Sequence, residues 1–292
     1  MDRLQAAIAR ARTAREALLA GQAEMTDPPA ASSEAPPVDE PNTTPETTPK
    51  DPWDALEHFT PDAAALTRHR IVTRESGAKS APFDVLRTRA LQQMSAQGWS
   101  RLAVTSPGPG CGKSTVTMNL AFSLARQPDI RTIVIDLDLR RPMLATLLGC
   151  DAGHEVTSVI RGKAEAGTQM LRVADNLAFA TTATPVHDPA ELLQGRRMDR
   201  MLTRIEEIYA PDVILFDLPP VMISDDAIAF LPNADCALMI AAAEQSTLGQ
   251  VDTCEKELAA QTSVLGVVLN KCSHPGEAQR YGYGYGYDSY GS

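Results

Sequence analysis

The segment SPGPGCGKST, Ser106–Thr115, is where residue type and spacing point most directly to chemistry. It follows an apolar run and opens a helical pattern, the setting that a phosphate-binding loop requires. Over Gly108, Pro109, Gly110, Cys111, Gly112, Lys113, Ser114 and Thr115, backbone N–H groups can close around phosphate oxygens because glycine leaves the approach clear. The Lys113 ammonium can reach β- and γ-phosphates, and the Ser114 hydroxyl can ligate Mg²⁺. Pro107 replaces the first glycine of the GxxxxGK[ST] pattern.

Acids complete the set. VIDLDLRRP places Asp136 and Asp138 two residues apart at a strand end, on one side if the chain stays extended. Two carboxylates beside a γ-phosphate can share metal binding and activation of a hydroxyl, with Asp136 read as the general base and Asp138 also as a metal ligand. VILFDLPP puts Asp217 at the end of another apolar run, the place of an acid that positions Mg²⁺ or its water shell. Arg140 and Arg141 read either as phosphate contacts or as ion-paired side chains. Cys111 reads either as a thiol made reactive by a helix N-terminus or as a small filler. Asn270 and Lys271 lie where a base-recognition loop would.

The elements that must position these groups alternate. Helical spacing of Phe83, Leu86, Ala90, Leu91 and Met94 follows Pro82, and strands are expected at Leu102–Thr105, Thr132–Asp136, Leu177–Ala180, Val213–Asp217, Cys236–Ala241 and Gly266–Asn270. Helices are expected at Lys113–Ala125, Met143–Leu148, Pro189–Ile208 and Leu248–Ala260. Runs such as TIVID and VILFD are apolar throughout, as strands covered on both faces should be. The expected fold is α/β, a mainly parallel sheet sandwiched by helices, with ligands at the carboxyl ends of the strands. The domain is expected over 81–275, after a helix over 1–22 and an acidic, Pro-rich linker over 23–80 whose apolar residues near Trp53–Phe59 and Ile71 lie against the domain. The linker and the 276–292 tail are expected to be disordered.

That tail carries five of the six tyrosines, Tyr281, Tyr283, Tyr285, Tyr287 and Tyr290, spaced by glycine where rings cannot be buried. It reads either as an idle low-complexity end or as a segment built to be reached. The net charge of -10 argues against a surface devoted to nucleic acid. Scattered cysteines, with no CxxC pair, suggest neither a disulfide framework nor a zinc site, so a cytoplasmic setting is expected.

SPGPGCGKST, VIDLDLRRP and VILFDLPPV, with DPAELL (Asp188–Leu193) and GVVLNK (Gly266–Lys271), resemble the bacterial tyrosine kinases of capsule and exopolysaccharide synthesis. The resemblance covers residues 83–271 and implies a P-loop NTPase fold using ATP and Mg²⁺, with Lys113, Asp136 and Asp138 as catalytic residues and Asp217 as the Walker B acid. It makes the tail tyrosines phosphoacceptors for a neighbouring subunit. It further implies a homo-oligomer, a ring in the family, and a transmembrane chain-length regulator as activator, which places the chain at the inner face of the plasma membrane, with a cognate tyrosine phosphatase acting on it. Two alternatives share the fold: a switch ATPase like the division-site and chromosome-partitioning proteins, and a non-catalytic ATP-binding scaffold. The first carries an extra lysine near the start of the loop, where this chain has Gly108. Of the family's ExxRxxR helix pattern, the aligned residues are Ala81, Asp84 and Arg87, so only the last arginine is kept.

Overall fold

The computed structural model describes residues 51–150 and 153–272. The helix expected over 1–22, residues 23–50 of the linker and the tyrosine tail lie outside the described residues. In chain order the elements are β1 (Glu57–His58), α1 (Ala63–Arg68), α2 (Ala81–Gln97), β2 (Arg101–Thr105), α3 (Lys113–Ala125), β3 (Thr132–Asp136), α4 (Leu144–Leu148) and α5 (Val156–Ile160). They continue with β4 (Met170–Ala174), β5 (Leu177–Ala180), α6 (Pro189–Leu193), α7 (Arg196–Tyr209), β6 (Val213–Asp217), α8 (Asp226–Phe230), β7 (Cys236–Ala242), α9 (Leu248–Ala259) and β8 (Ser263–Asn270).

The strands form one eight-stranded sheet in the order β1-β4-β5-β3-β6-β2-β7-β8. Every pairing is parallel except β4 with β5. This is the mainly parallel sheet that the apolar runs predict, in a P-loop NTPase-like fold. Alternate residues of each central strand feed opposite layers. Ile133, Ile135, Ile214 and Phe216 join the core beneath α5, α7, α8 and α9. Val134, Leu215, Leu102 and Val104 join the core beneath α3 and α4. Each such side chain contributes on the order of 1.5–3 kcal/mol by leaving water.

Local signals set the helix ends. Pro82 fits the first turn of α2, and Gly98, at φ 71°, ends it in the left-handed conformation. A capping box between Thr247 and Gln250 starts α9. α2 is cross-braced to the carboxyl-terminal end of α3: Asp84 pairs with Arg126 and accepts from Ser123 Oγ at 2.8 Å, and Arg87 donates to the Ser123 carbonyl at 2.9 Å. The one arginine retained from the ExxRxxR pattern is thus engaged within the chain.

Three expectations are corrected. The linker does not extend to residue 80: β1 adds to the sheet edge beside β4, and Trp53 is buried, its indole N–H donating to the Tyr209 carbonyl at 2.7 Å. The apolar residues near Trp53–Phe59 thus lie against the domain as expected, and what changes is the linker's boundary at residue 80. The expected helix Pro189–Ile208 is two, α6 and α7, divided at Gln194 and Gly195. Strand β8 begins three residues earlier than its apolar run, with a register shift between Ala237 and Leu238 of β7.

Candidate active site

The loop between β2 and α3 reverses the chain with positive φ at Gly110, 75°, and Gly112, 90°. These are the positions where glycine is required. Pro107 is not at a positive-φ position, so proline replaces the motif's first glycine without strain. Two neighbours brace the loop from the β7–β8 side. Gln245 Nε2 donates to the Pro109 carbonyl and Asn270 Nδ2 to the Cys111 carbonyl, both at 2.9 Å. Asn270 is therefore a strut of the loop, where the sequence suggested base recognition. A Cβ on Gly112 would lie 2.4 Å from Asn270 Nδ2.

Strand register gathers the acids. Asp136 on β3 pairs directly with Asp217 on β6, and Asp217 follows the Val104 register of β2, the strand that feeds the loop. Asp138 lies two residues past β3 and forms an ion pair with Lys113 Nζ at 2.7 Å; Asp217 Oδ1 is 3.5 Å from the same nitrogen. Burial works against the charge on Lys113, but Asp217 and Asp138 outweigh it and hold the ammonium above its ordinary pKa. Burial also pushes the Asp217 carboxyl up, against the pull of Lys113 and Ser114. Asp136 is pushed furthest, by burial first and then by Asp217.

The three aspartates are not equivalent. Asp138 lines a cleft of about 660 Å³ with Lys113, Ser114, Thr115 and the loop backbone. Like Asp217, Asp136 does not line it and is 0% exposed. Its Oδ2 accepts from the N–H groups of Met143 and Leu144, at 3.1 and 2.9 Å, and so fixes the start of α4. The expected general base is thus placed behind the cleft, and Asp138 faces it. Arg140 clasps buried Asp226 through Nε at 2.5 Å and Nη2 at 3.1 Å, and both Arg140 and Arg141 line the cleft. Cys111 is buried with its sulfur 3.6 Å from Ser246 Oγ, a packing position under the loop.

Buried oxygens without hydrogen bonds of ordinary geometry are concentrated here: both of Asp217 and Oδ1 of Asp136. Buried carboxylate oxygens are ordinarily satisfied. The Asp217 carboxylate beside Ser114 fits a Mg²⁺ ion, which takes one or two protein oxygens and completes its shell with phosphate and water. Among the described residues no cluster of three or more Asp, Glu, His or Cys side chains forms a metal cage.

Sequence reasoning did not find the cleft's walls, Met143, Ile223, His69 and Leu147, nor Asn119, whose side chain staples residues 70–72 onto α3. None of these carries a motif, and they converge only once the sheet is built.

Residues 99–281 match the family described as "ParA: NUBPL iron-transfer P-loop NTPase". A relative in Ralstonia nicotianae, provisionally named tyrosine-protein kinase EpsB, is 33% identical over 70% of this chain, which spans 27% of that relative's length. Tyrosine-protein kinase CpsD of Streptococcus pneumoniae is 28% identical over 61% of this chain and 79% of its own. The kinase domain of Escherichia coli tyrosine kinase ETK superposes with a TM-score of 0.61 at 24% identity, covering 72% of this chain and 81% of that one.

Proposed function

The chain belongs to the ParA-type P-loop NTPases, on their bacterial tyrosine kinase branch, and from that premise we propose that it transfers the γ-phosphoryl group of ATP to tyrosine hydroxyls. One observation carries the reading: Lys113 and Asp138 form an ion pair in a cleft large enough for a nucleotide beside a glycine-turned loop, and buried Asp217 backs the same ammonium at 3.5 Å. Lys113 would neutralise charge on the β- and γ-phosphates. Asp138 would orient the acceptor hydroxyl and take its proton as the new O–P bond forms and the bond to the β-phosphate oxygen breaks, leaving ADP. Asp136 would act through α4 and Asp217, as a positioning residue. Ser114 and Asp217 would hold Mg²⁺, with Asp138 at its edge, and the ion would offset phosphate charge.

The acceptors would be Tyr281, Tyr283, Tyr285, Tyr287 and Tyr290 of another copy, and the setting capsule or exopolysaccharide synthesis, with a transmembrane chain-length regulator as activator and a tyrosine phosphatase as antagonist. Membrane association would run through that partner; among the described residues no helix is long and apolar enough to cross a membrane. The test is incubation of the full chain, with the regulator's cytosolic segment, in labelled ATP. Phosphotyrosine label that disappears when all five tail tyrosines become phenylalanine is expected. Label that is absent, or undiminished in that variant, overturns the proposal. Rapid phosphate release with no labelled protein would favour the switch ATPase instead.

A further inference from the structure

A second cavity, of about 370 Å³, shares no lining residue with the nucleotide cleft. It opens between the carboxyl-terminal end of α5 and the exposed face of α7. Gly162, at φ 71°, turns the chain beside it. Arg197, Arg200 and Arg204 stand on successive turns of α7, on one face, and Arg161 stands across from them. Val159, Ile160 and Met201 form an apolar floor.

Four guanidinium groups around one cavity are unexpected in a chain of net charge -10. Their counter-charges are few. Glu165 is the one acidic residue in the lining. Arg197 donates to the Arg161 carbonyl at 3.2 Å and Arg200 to the Arg196 carbonyl at 3.3 Å, which are backbone contacts. Among the described residues only Arg204 of the four has a carboxylate partner, Glu207 at 3.5 Å, and both are exposed. Crowded like charges repel, and an anion that fits between them relieves the repulsion. Guanidinium forks match phosphate oxygens bidentately, and the apolar floor matches an aromatic ring.

We propose that this cavity binds phosphotyrosine, and that its occupant is the phosphorylated tail of the chain itself. The source of that phosphate rests on the kinase reading above; the binding chemistry does not. Reach permits it. The tail leaves from β8, at one edge of the sheet. Residues 273–287 can span at most about 50 Å when extended. The whole sheet, at about 4.8 Å per strand spacing, is about 34 Å wide. Each phosphate brings about -1.5 to -2 charges, which the unmodified tail lacks. A serine phosphate would meet the arginines but leave the floor uncovered.

The test uses the full chain with its five tail tyrosines changed to phenylalanine, so that no internal competitor exists. Its ligand is a synthetic fluorescent peptide of residues 280–291, carrying phosphate on Tyr287. Anisotropy should show saturable binding, weakened at least tenfold by Arg197→Gln with Arg200→Gln and separately by Arg161→Gln, from the other wall. All these side chains are exposed, and unchanged melting and ATP binding would show that the variants are folded. Unphosphorylated peptide, and a phosphoserine version, should bind at least tenfold more weakly. Equal affinity in the folded variants, equal binding of the phosphoserine peptide, or arginine-dependent binding of phosphatidylserine vesicles without peptide binding would each overturn the proposal. Because the peptide is synthetic, its failure leaves the labelling result standing, and a failure of labelling leaves this result standing.

Discussion

At the residue scale, the proposed division of labour between Asp136 and Asp138 can be tested directly. Asp138→Asn should keep ATP binding and lower tyrosine labelling by about 10²–10⁴-fold, as loss of a general base does. Asp136→Asn should keep most labelling, since an amide oxygen still accepts from Met143 and Leu144. Asp136→Ala should lose about 1–3 kcal/mol in denaturant titration, having orphaned those N–H groups. Labelling lost in Asp136→Asn and retained in Asp138→Asn would reverse the assignment. The loop offers a second experiment. Gly112→Ala meets both a left-handed backbone and Asn270 Nδ2, so calorimetry should show ATP affinity lowered at least tenfold. Adding Asn270→Ala removes the collision but not the backbone strain, so affinity should not return to the parent value.

At the scale of elements, Trp53 ties an otherwise short strand to the body. Its ring meets Tyr209 edge-on at 6.3 Å, with the Arg131 guanidinium 5.5 Å from its centre. Trp53→Ala should cost about 3–5 kcal/mol in equilibrium unfolding and speed amide exchange at β1 and β4 while leaving α3 protected. Unchanged exchange at that edge would count against it. This element also marks the limit of what periodicity makes legible. β3, β6 and β7 were plain as unbroken apolar runs, and the phosphate loop and its acids were plain because their chemistry dictates their residues. β4 was not, because Arg172 and Val173 on a less covered strand lack both patterns. α6 and α7 share one helical spacing, which does not register the two-residue break at Gln194 and Gly195. The role of Asp136 was hidden for another reason: spacing reports which side of a strand a carboxylate shares, but not which neighbour's N–H groups claim it.

At the scale of the whole molecule, stability at alkaline pH follows from two thiols buried under the sheet's outer helix and strand. Burial pushes both Cys236 and Cys254 up to about 12 from an unfolded value of 9.0. Between those values the folded chain holds protons that the unfolded chain has lost, so stability is full below pH 9 and declines as pH rises towards 12. The urea midpoint should therefore fall between about pH 8.5 and 10.5. It should fall less steeply when both cysteines are alanine; an equal fall would exclude them as the cause. The cross-brace between α2 and α3 has a mechanical side. α3 is about 20 Å long, carries Lys113 at one end and is clamped to α2 at the other. The pair works as a lever arm: a tilt of about 3° at the clamp swings the lysine through about 1 Å, a displacement on the order of what costs a hundredfold in rate. Val85 is 52% exposed on α2, so a force applied to that outer face would read out as a throttle on the distant loop.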